Sequence, residues 1–125
     1  MTRETAAGSI KLKQAYDRPA ADDGQRILID RLWPRGLKKA DAAIHEWMKS
    51  LAPSSALRKW FGHDLARWQT FQRRYRKELL QHSEELDRLR AFTRQGPVTL
   101  IFSARDAMHN DAVVLRDVLV AKGTS

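Results

Sequence analysis

The sequence predicts a small α/β domain whose sheet has central parallel strands and an antiparallel edge, flanked by about five helices. Two short apolar runs, at residues 27–29 and 98–102, are typical of buried strands. Between and after these runs, apolar residues recur at helical spacing. Two buried strands joined by a long helical segment favour a parallel pair with a helical crossover.

The first strand is predicted before the two buried ones. Residues 10–16 alternate apolar and polar side chains, a pattern typical of an edge strand, and Asp23-Gly24 then marks a turn. The segment joining this strand to residues 27–29 is too short for a helical crossover between neighbouring parallel strands, so we expect an antiparallel edge. Residues 1–9 are predicted to be a disordered lead-in, and residues 10–123 to form a single domain.

The helices are predicted from periodicity and from capping residues. Ile44, Trp47, Met48 and Leu51 fall at i, i+3, i+4 and i+7, which predicts one helix face. Ser54 and Asp64 are suited to cap the helices that follow them. Further helical patterns cover residues 65–79, 83–92 and 109–122.

Composition restricts the class of protein. Of the 125 residues, 42% are hydrophobic and 30% are charged, which is enough apolar side chain for a packed core. There is no cysteine, which excludes disulfides and thiolate chemistry and suits a reducing compartment. Because neither a signal-peptide pattern nor a membrane-spanning apolar run is visible, we expect a cytoplasmic protein without membrane contact.

The chain is strongly basic, with a formal net charge of +8. This charge favours an acidic partner such as a phosphorylated metabolite or a nucleic acid. Part of it lies in a helical run, Arg73, Arg74, Arg76 and Lys77. The run is either a solvated helix face or a nucleic-acid contact, and the small anion is the favoured partner because acidic residues follow the run directly. Oligomeric state is not predicted.

Polar side chains follow both buried strands, at the edge where α/β sheets bind ligands. Asp30, Arg31 and Arg35 follow one strand, and Ser103 and Arg105 follow the other. Guanidinium groups bind phosphate or carboxylate through paired hydrogen bonds, which predicts an anion pocket. The alternative is a structural ion network that pairs Asp30 with Arg105 and Arg31 with Asp106. Both interpretations remain open at this stage.

His109 stands at the start of the predicted last helix and is a candidate general acid or base. Asp30 is a candidate catalytic carboxylate. Ser103 lacks the G-x-S-x-G context of a nucleophile, and its role is assigned to anion binding. The H-E-x-x-H zinc spacing fails after His45, and no nucleotide-binding glycine pattern occurs, so neither a metal nor a cofactor is predicted.

Several motifs in fixed order resemble one protein family. They are DRLWPRG (30–36), LAPS (51–54), LRKWFGHD (57–64), SARD (103–106), HN (109–110) and AVVL (112–115). Together they are similar to the DUF488 family, in particular to its short YeaO-like members, over residues 10–119. The resemblance implies an α/β fold and a bacterial cytoplasmic protein, and it implies no activity. It also adds His63, within the Gly62-His63-Asp64 corner, to the candidate catalytic residues.

Two functions are compatible with these residues. The first is a small enzyme that acts on a phosphorylated or nucleotide-like metabolite, with Arg31, Arg35, Ser103 and Arg105 binding the anion and His109, His63 and Asp30 in catalysis. The second is a binding module for nucleic acid or a small anion, in which the basic residues bind and nothing reacts.

Overall fold

The computed structural model describes residues 10–124, with side chains through residue 120; the predicted lead-in, residues 1–9, lies outside the described residues. Four strands are present: β1 (Ile10–Gln14), β2 (Gln25–Leu28), β3 (Glu46–Trp47) and β4 (Val98–Phe102). In the same range, the α-helices are α1 (Lys39–Ala42), α2 (Ser55–Phe61), α3 (Trp68–Leu80), α4 (Ser83–Gln95) and α5 (Asp111–Thr124). None of the described helices is long and apolar enough to cross a membrane.

The four strands form one sheet in the order β1-β4-β2-β3, and every pairing is parallel. The predicted antiparallel edge is therefore wrong. The expectation treated β1 and β2 as neighbours, whereas β4 lies between them. Residues 15–24 connect the end of β1 to the start of β2, so these ten residues have to cover only the length of one short strand. An extended segment of ten residues can span about 33 Å, which is sufficient. Lys11 and Lys13 of β1 hold this returning segment through ion pairs to Asp22 and Asp23.

The helix predicted over residues 44–51 is also wrong. This segment instead contains β3 and a short 3-10 helix, Lys49–Leu51, and it follows the one-turn helix α1. Ala43 adopts a left-handed conformation with φ of 51° and ends α1. The four apolar side chains do not share one face: Ile44 and Trp47 pack against the smaller core of the sheet, and Met48 and Leu51 belong to the larger one.

The sheet separates two hydrophobic cores of unequal size. Ile27 and Leu100 face the larger one, which contains apolar side chains of α2, α3, α4 and α5. Leu28 and Ile101 face the smaller one, which is covered by Trp33, Leu37, Ile44 and Trp47. All five residues of β4 are buried, as expected for a central strand with both faces covered.

The turn predicted at Asp23-Gly24 brings the chain against the start of β4. Gly24 has φ of 64°, and a Cβ at this position would lie 2.1 Å from the carbonyl oxygen of Pro97. Only glycine fits this approach. The next residue, Gln25, donates its N–H to the same carbonyl at 3.1 Å, which starts the pairing of β2 with β4. The carboxyl ends of these two neighbouring strands consequently lie side by side.

Candidate functional site

A concavity of about 730 Å³ opens at the carboxyl ends of β2 and β4. Its walls are the segments that follow these two strands, together with residues 52–53 and part of α2 and α3. The structure brings all of the predicted site residues to this concavity: Asp30, Arg31, Arg35, His63, Ser103, Arg105 and His109. The surrounding apolar wall includes Trp33, Pro34, Phe61 and Phe71.

Hydrogen bonds to the backbone fix the two loops that carry the arginines. Gln14 at the end of β1 donates from Nε2 to the carbonyls of Ala104 and Arg105, at 2.8 and 3.2 Å. The Tyr16 hydroxyl donates to the Arg35 carbonyl at 2.9 Å. Trp33 donates from Nε1 to the Leu37 carbonyl at 2.6 Å, so this indole both anchors its loop and lines the concavity.

Asp30 and Asp111 form a pair of carboxyl groups on the wall of the concavity. Asp30 accepts hydrogen bonds from the backbone N–H and the hydroxyl of Ser103, at 2.9 and 2.6 Å. Burial raises the pKa of Asp30, against the lowering effect of the Ser103 hydrogen bonds and the Arg58 charge. Burial and the neighbouring Asp30 charge raise the pKa of Asp111 well above its usual range. Of the two carboxyls, Asp111 is therefore the one that keeps its proton to higher pH, in a hydrogen bond to Asp30.

This protonation predicts a pH-dependent stability that Asp111→Asn removes. The folded-state pKa of Asp111 is raised, so its contribution is fully present below the ordinary value of 3.8 and is lost as pH rises through the folded pKa. Asparagine keeps a donor toward Asp30 and cannot ionise. In urea unfolding from pH 5 to pH 9, the free energy of unfolding of the unmodified protein should fall by up to about 1.4 kcal/mol per pH unit. We expect this decrease to be absent in the Asp111→Asn variant.

The control for this experiment is Asp41→Asn, because Asp41 is exposed on α1. Its pH profile should follow that of the unmodified protein. Parallel profiles for the Asp111→Asn variant and the unmodified protein would show that Asp111 is ionised in the folded state, contrary to the assignment above.

Three arginines at the concavity have no carboxylate partner among residues 10–120. Arg35 and Arg105 are exposed, and so is Arg58 of α2, whose charge acts on Asp30. None of the three guanidinium groups forms an ion pair or a side-chain hydrogen bond within that part of the chain. Arg31 differs, because its Nε and Nη2 donate to the Pro53 carbonyl at 3.2 and 3.1 Å.

The ion network considered as an alternative is not formed. Asp30 is bonded to Ser103 rather than to Arg105, and Arg31 is bonded to backbone carbonyls rather than to Asp106. The acidic side chains at this edge are thus occupied by hydroxyl, amide and imidazole groups. The unpaired guanidinium groups of Arg35, Arg58 and Arg105 are left available for an external anion.

His109 is held in one orientation by the loop before α5. Its Nδ1 lies 3.0 Å from Oδ2 of Asp106, and its ring packs edge-on against Trp68 with centroids 5.2 Å apart. The other oxygen of Asp106 accepts from the backbone N–H of Met108 and His109, and the first of these bonds is the largest cause of the lowered pKa of Asp106. This arrangement leaves Nε2 of the imidazole without a hydrogen-bond partner among the described side chains.

His63 lies exposed at the rim of the concavity, in a left-handed backbone conformation with φ of 59°. Gly62, which ends α2, has φ of 52°, so two consecutive residues turn the chain toward Asp64. The His63 ring is tilted against Phe61 with centroids 6.1 Å apart. A left-handed histidine costs on the order of 1 kcal/mol.

Sequence reasoning missed Arg58, Asn110 and Asp111 as site residues. Arg58 lies inside the motif LRKWFGHD (57–64), but no role was predicted for it from the sequence. Asn110 is buried and caps α5, because its Oδ1 accepts from the Val113 N–H at 3.1 Å. The sequence signal that could have identified Asp111 is an acid in the first turn of a helix that follows a buried strand. Within the described residues, no cluster of His, Cys, Asp or Glu is arranged to hold a metal ion.

Comparison with known proteins identifies the family. Residues 9–124 match the family DUF488-N3i, described as "Inactive DUF488-N3 subclade". This chain belongs to that DUF488 subclade. The DUF488 chain is 45% identical over 111 residues to "Uncharacterized protein YeaO" of Escherichia coli (strain K12), which covers 89% of this chain and 96% of YeaO. The family resemblance noted from the sequence motifs is thereby confirmed.

A second relative is more distant and spans slightly more of the chain. "Uncharacterized protein Rv3073c" of Mycobacterium tuberculosis (strain ATCC 25618 / H37Rv) is 38% identical over 119 residues, which cover 95% of the DUF488 chain and 98% of the relative. No solved structure matches the chain at a significant level.

Proposed function

We propose that this protein is a non-catalytic binding module for a small phosphorylated, nucleotide-like metabolite. The observation that carries the proposal is the convergence of Arg35, Arg58 and Arg105 on one concavity without a carboxylate partner among the described side chains. Like charges gathered in one place repel one another, and a bound anion relieves this repulsion. The family description as an inactive subclade supports binding rather than turnover.

The shape and lining of the concavity fit a ligand with an anionic part and a ring. Its volume, about 730 Å³, lies in the range of small-molecule sites. Trp33, Phe61 and Phe71 supply apolar and aromatic surface against which a ring can pack. The Asp30 and Asp111 carboxyls lie beside this wall and supply hydrogen-bonding groups for a hydroxyl or a ring N–H.

Thermal unfolding with and without orthophosphate tests the proposal through Arg105→Ala. Since Arg105 is exposed and unpaired, its loss should change the free energy of unfolding without phosphate by about 0.5 kcal/mol or less, so the midpoint should hardly move. Phosphate at ten times the Kd should stabilise the unmodified protein by about 1.4 kcal/mol and thereby raise its midpoint, and it should raise that of the variant much less. A midpoint that falls sharply and does not respond to phosphate in either protein would mean that Arg105 stabilises the fold.

A second candidate function is catalysis on the same anionic ligand, and one observation favours it. The carboxylate of Asp106 orients His109 at Nδ1 and leaves Nε2 free, which is the arrangement of a general acid or base. His63 and Asp30 are the further candidate catalytic groups. The two functions separate when nucleoside monophosphates are incubated with the protein and followed by phosphorus NMR. If the protein converts the nucleotide, and the His109→Gln variant still binds it without converting it, the protein is an enzyme. If the nucleotides stay unchanged, the result supports the binding module.

A further inference from the structure

A second basic surface lies on α3, outside the concavity described above. Thr70, Arg73, Arg74 and Lys77 share one face of the helix and line a shallow depression of about 300 Å³. We name these four residues the α3 surface. Arg73, Arg74 and Lys77 are all exposed, and the helical rise spreads the four residues over about 10 Å.

The cations of the α3 surface have no acidic partner among the described side chains. Arg73 donates only to the hydroxyl of Thr70, at 3.2 Å. Glu78, the acid within α3 itself, accepts instead from the backbone and hydroxyl of Ser54, at 2.8 and 2.6 Å. Asp117 of α5 lies 3.9 Å from Arg76, which is not part of the surface.

The acidic residues that follow the basic run in sequence do not neutralise this surface. Except for Glu78, which is bonded to Ser54, they belong to α4, where Asp87 pairs with Arg90, and Glu85 lies within ion-pair distance of His82. A solvated helix face was expected from the sequence because those acids follow the basic residues directly. Because the chain turns between α3 and α4, the charges adjacent in sequence stand on separate helices.

An aromatic ring adjoins the α3 surface. The guanidinium carbon of Arg74 lies 4.4 Å from the centre of the Trp60 ring, and that of Arg67 lies 5.0 Å from it. Stacking on indole orients the Arg74 guanidinium and reduces the side-chain entropy that phosphate binding would cost. Cations that follow a phosphate chain, beside planar groups on which bases stack, are the combination that binds single-stranded nucleic acid.

We infer that the α3 surface binds the phosphate backbone of single-stranded nucleic acid, with the Arg74 guanidinium plane, supported by Trp60, as the stacking platform. The inference is independent of the proposed ligand of the concavity, because it uses none of the residues that line it. A single strand fits better than a duplex, since its unstacked bases are free to pack on an arginine plane.

Fluorescence anisotropy with a labelled 20-nucleotide oligothymidylate tests this inference between 50 and 200 mM salt. The variant Arg73→Gln/Arg74→Gln/Lys77→Gln should bind at least about tenfold more weakly at low salt. The slope of log affinity against log salt should become shallower by about 2, because each phosphate contact on a single strand contributes about 0.7. Its urea unfolding curve checks that the exposed substitutions leave the fold intact.

The matched control is Lys38→Gln/Lys39→Gln/Arg94→Gln, which removes the same charge from exposed positions outside α3. It should retain most of the affinity and the original slope, and so should Arg105→Ala. If the control variant lost as much affinity for the oligonucleotide, the loss would be explained by net charge alone and the inference would be overturned. The inference also fails if the unmodified protein does not bind the oligonucleotide at 50 mM salt, or if it binds a duplex or polyglutamate equally well.

Discussion

Replacing Asp23 with alanine should destabilise the protein by about 3 to 5 kcal/mol, because it leaves the charge of Arg26 buried without a partner. Arg26 is 4% exposed, and its Nη1 lies 2.6 Å from Oδ2 of Asp23. The only other hydrogen bond of this guanidinium within the described residues runs from Nε to the Ala42 carbonyl, at 3.1 Å. The loss is a large fraction of the 5 to 15 kcal/mol of stability typical of a domain.

Asp22→Ala is the matched control in the same urea unfolding experiment. Asp22 forms an ion pair with Lys11 at 2.8 Å, but both side chains are exposed, and such solvent-screened pairs contribute little to stability. Equal losses from the two substitutions would contradict the buried network. Phosphate binding should persist in folded Asp23→Ala protein, because Asp23 lies before β2, at the end of the sheet opposite the concavity.

The contribution of Asp23 should also depend on acid pH. Burial disfavours its charged form, but hydrogen bonds from Ala20, Lys13 and Arg26 outweigh this effect and lower the pKa to about 2. A lowered folded-state pKa gives stability that is present above the ordinary value of 3.8 and is lost as pH falls through 2. The difference between the unmodified protein and the Asp23→Ala variant should therefore shrink below about pH 4.

The second large effect concerns ligand affinity. The triple variant Arg35→Gln/Arg58→Gln/Arg105→Gln should bind orthophosphate or a nucleoside monophosphate at least about 100-fold more weakly, since a hydrogen bond to a charged group contributes about 1.5 to 3 kcal/mol. Its stability without ligand should change little, because the relief of repulsion among three like charges opposes the loss of the attraction between Arg58 and Asp30. Isothermal titration calorimetry measures the affinity, and urea unfolding measures the stability.

Net charge needs its own control here, because the protein carries +8. Lys38→Gln/Lys39→Gln/Arg94→Gln lowers the charge equally without touching the concavity, and it should keep nearly all of the phosphate affinity. If both triple variants lost the same phosphate affinity, binding would be due to the overall positive charge of the protein and not to the three arginines. A loss of stability confined to the arginine triple variant would instead mean that these residues hold the loops in place.

The parts of the fold that local patterns determine were predictable, and the sheet topology was not. The capping role of Ser54 and the turn at Gly24 each follow from one residue type at one position, and the buried strand at residues 98–102 follows from a short apolar run. The insertion of β4 between β1 and β2 depends on contacts between residues far apart in the chain. The two-residue strand β3 is likewise formed only by pairing with β2.

The same distinction applies to the site. Strand ends can be recognised in a sequence, which placed Asp30, Arg31, Arg35, Ser103 and Arg105 at one edge of the sheet. The hydrogen-bond partners of these side chains could not be predicted from strand ends. Asp30 is bonded to Ser103 and to Asp111, although Arg105 was an equally plausible partner on charge alone. Arg58 comes from α2, and only the packing of that helix brings it to the concavity.

A crystal structure of the protein grown with a saturating nucleoside monophosphate tests the central claim most directly. We expect the phosphate within hydrogen-bond distance of at least two of the guanidinium groups of Arg35, Arg58 and Arg105, with the ring against Trp33 or Phe61. Asp30 should still accept from Ser103. A concavity without nucleotide, or one in which Arg35 and Arg105 are paired with Asp30 or Asp106, would contradict the account.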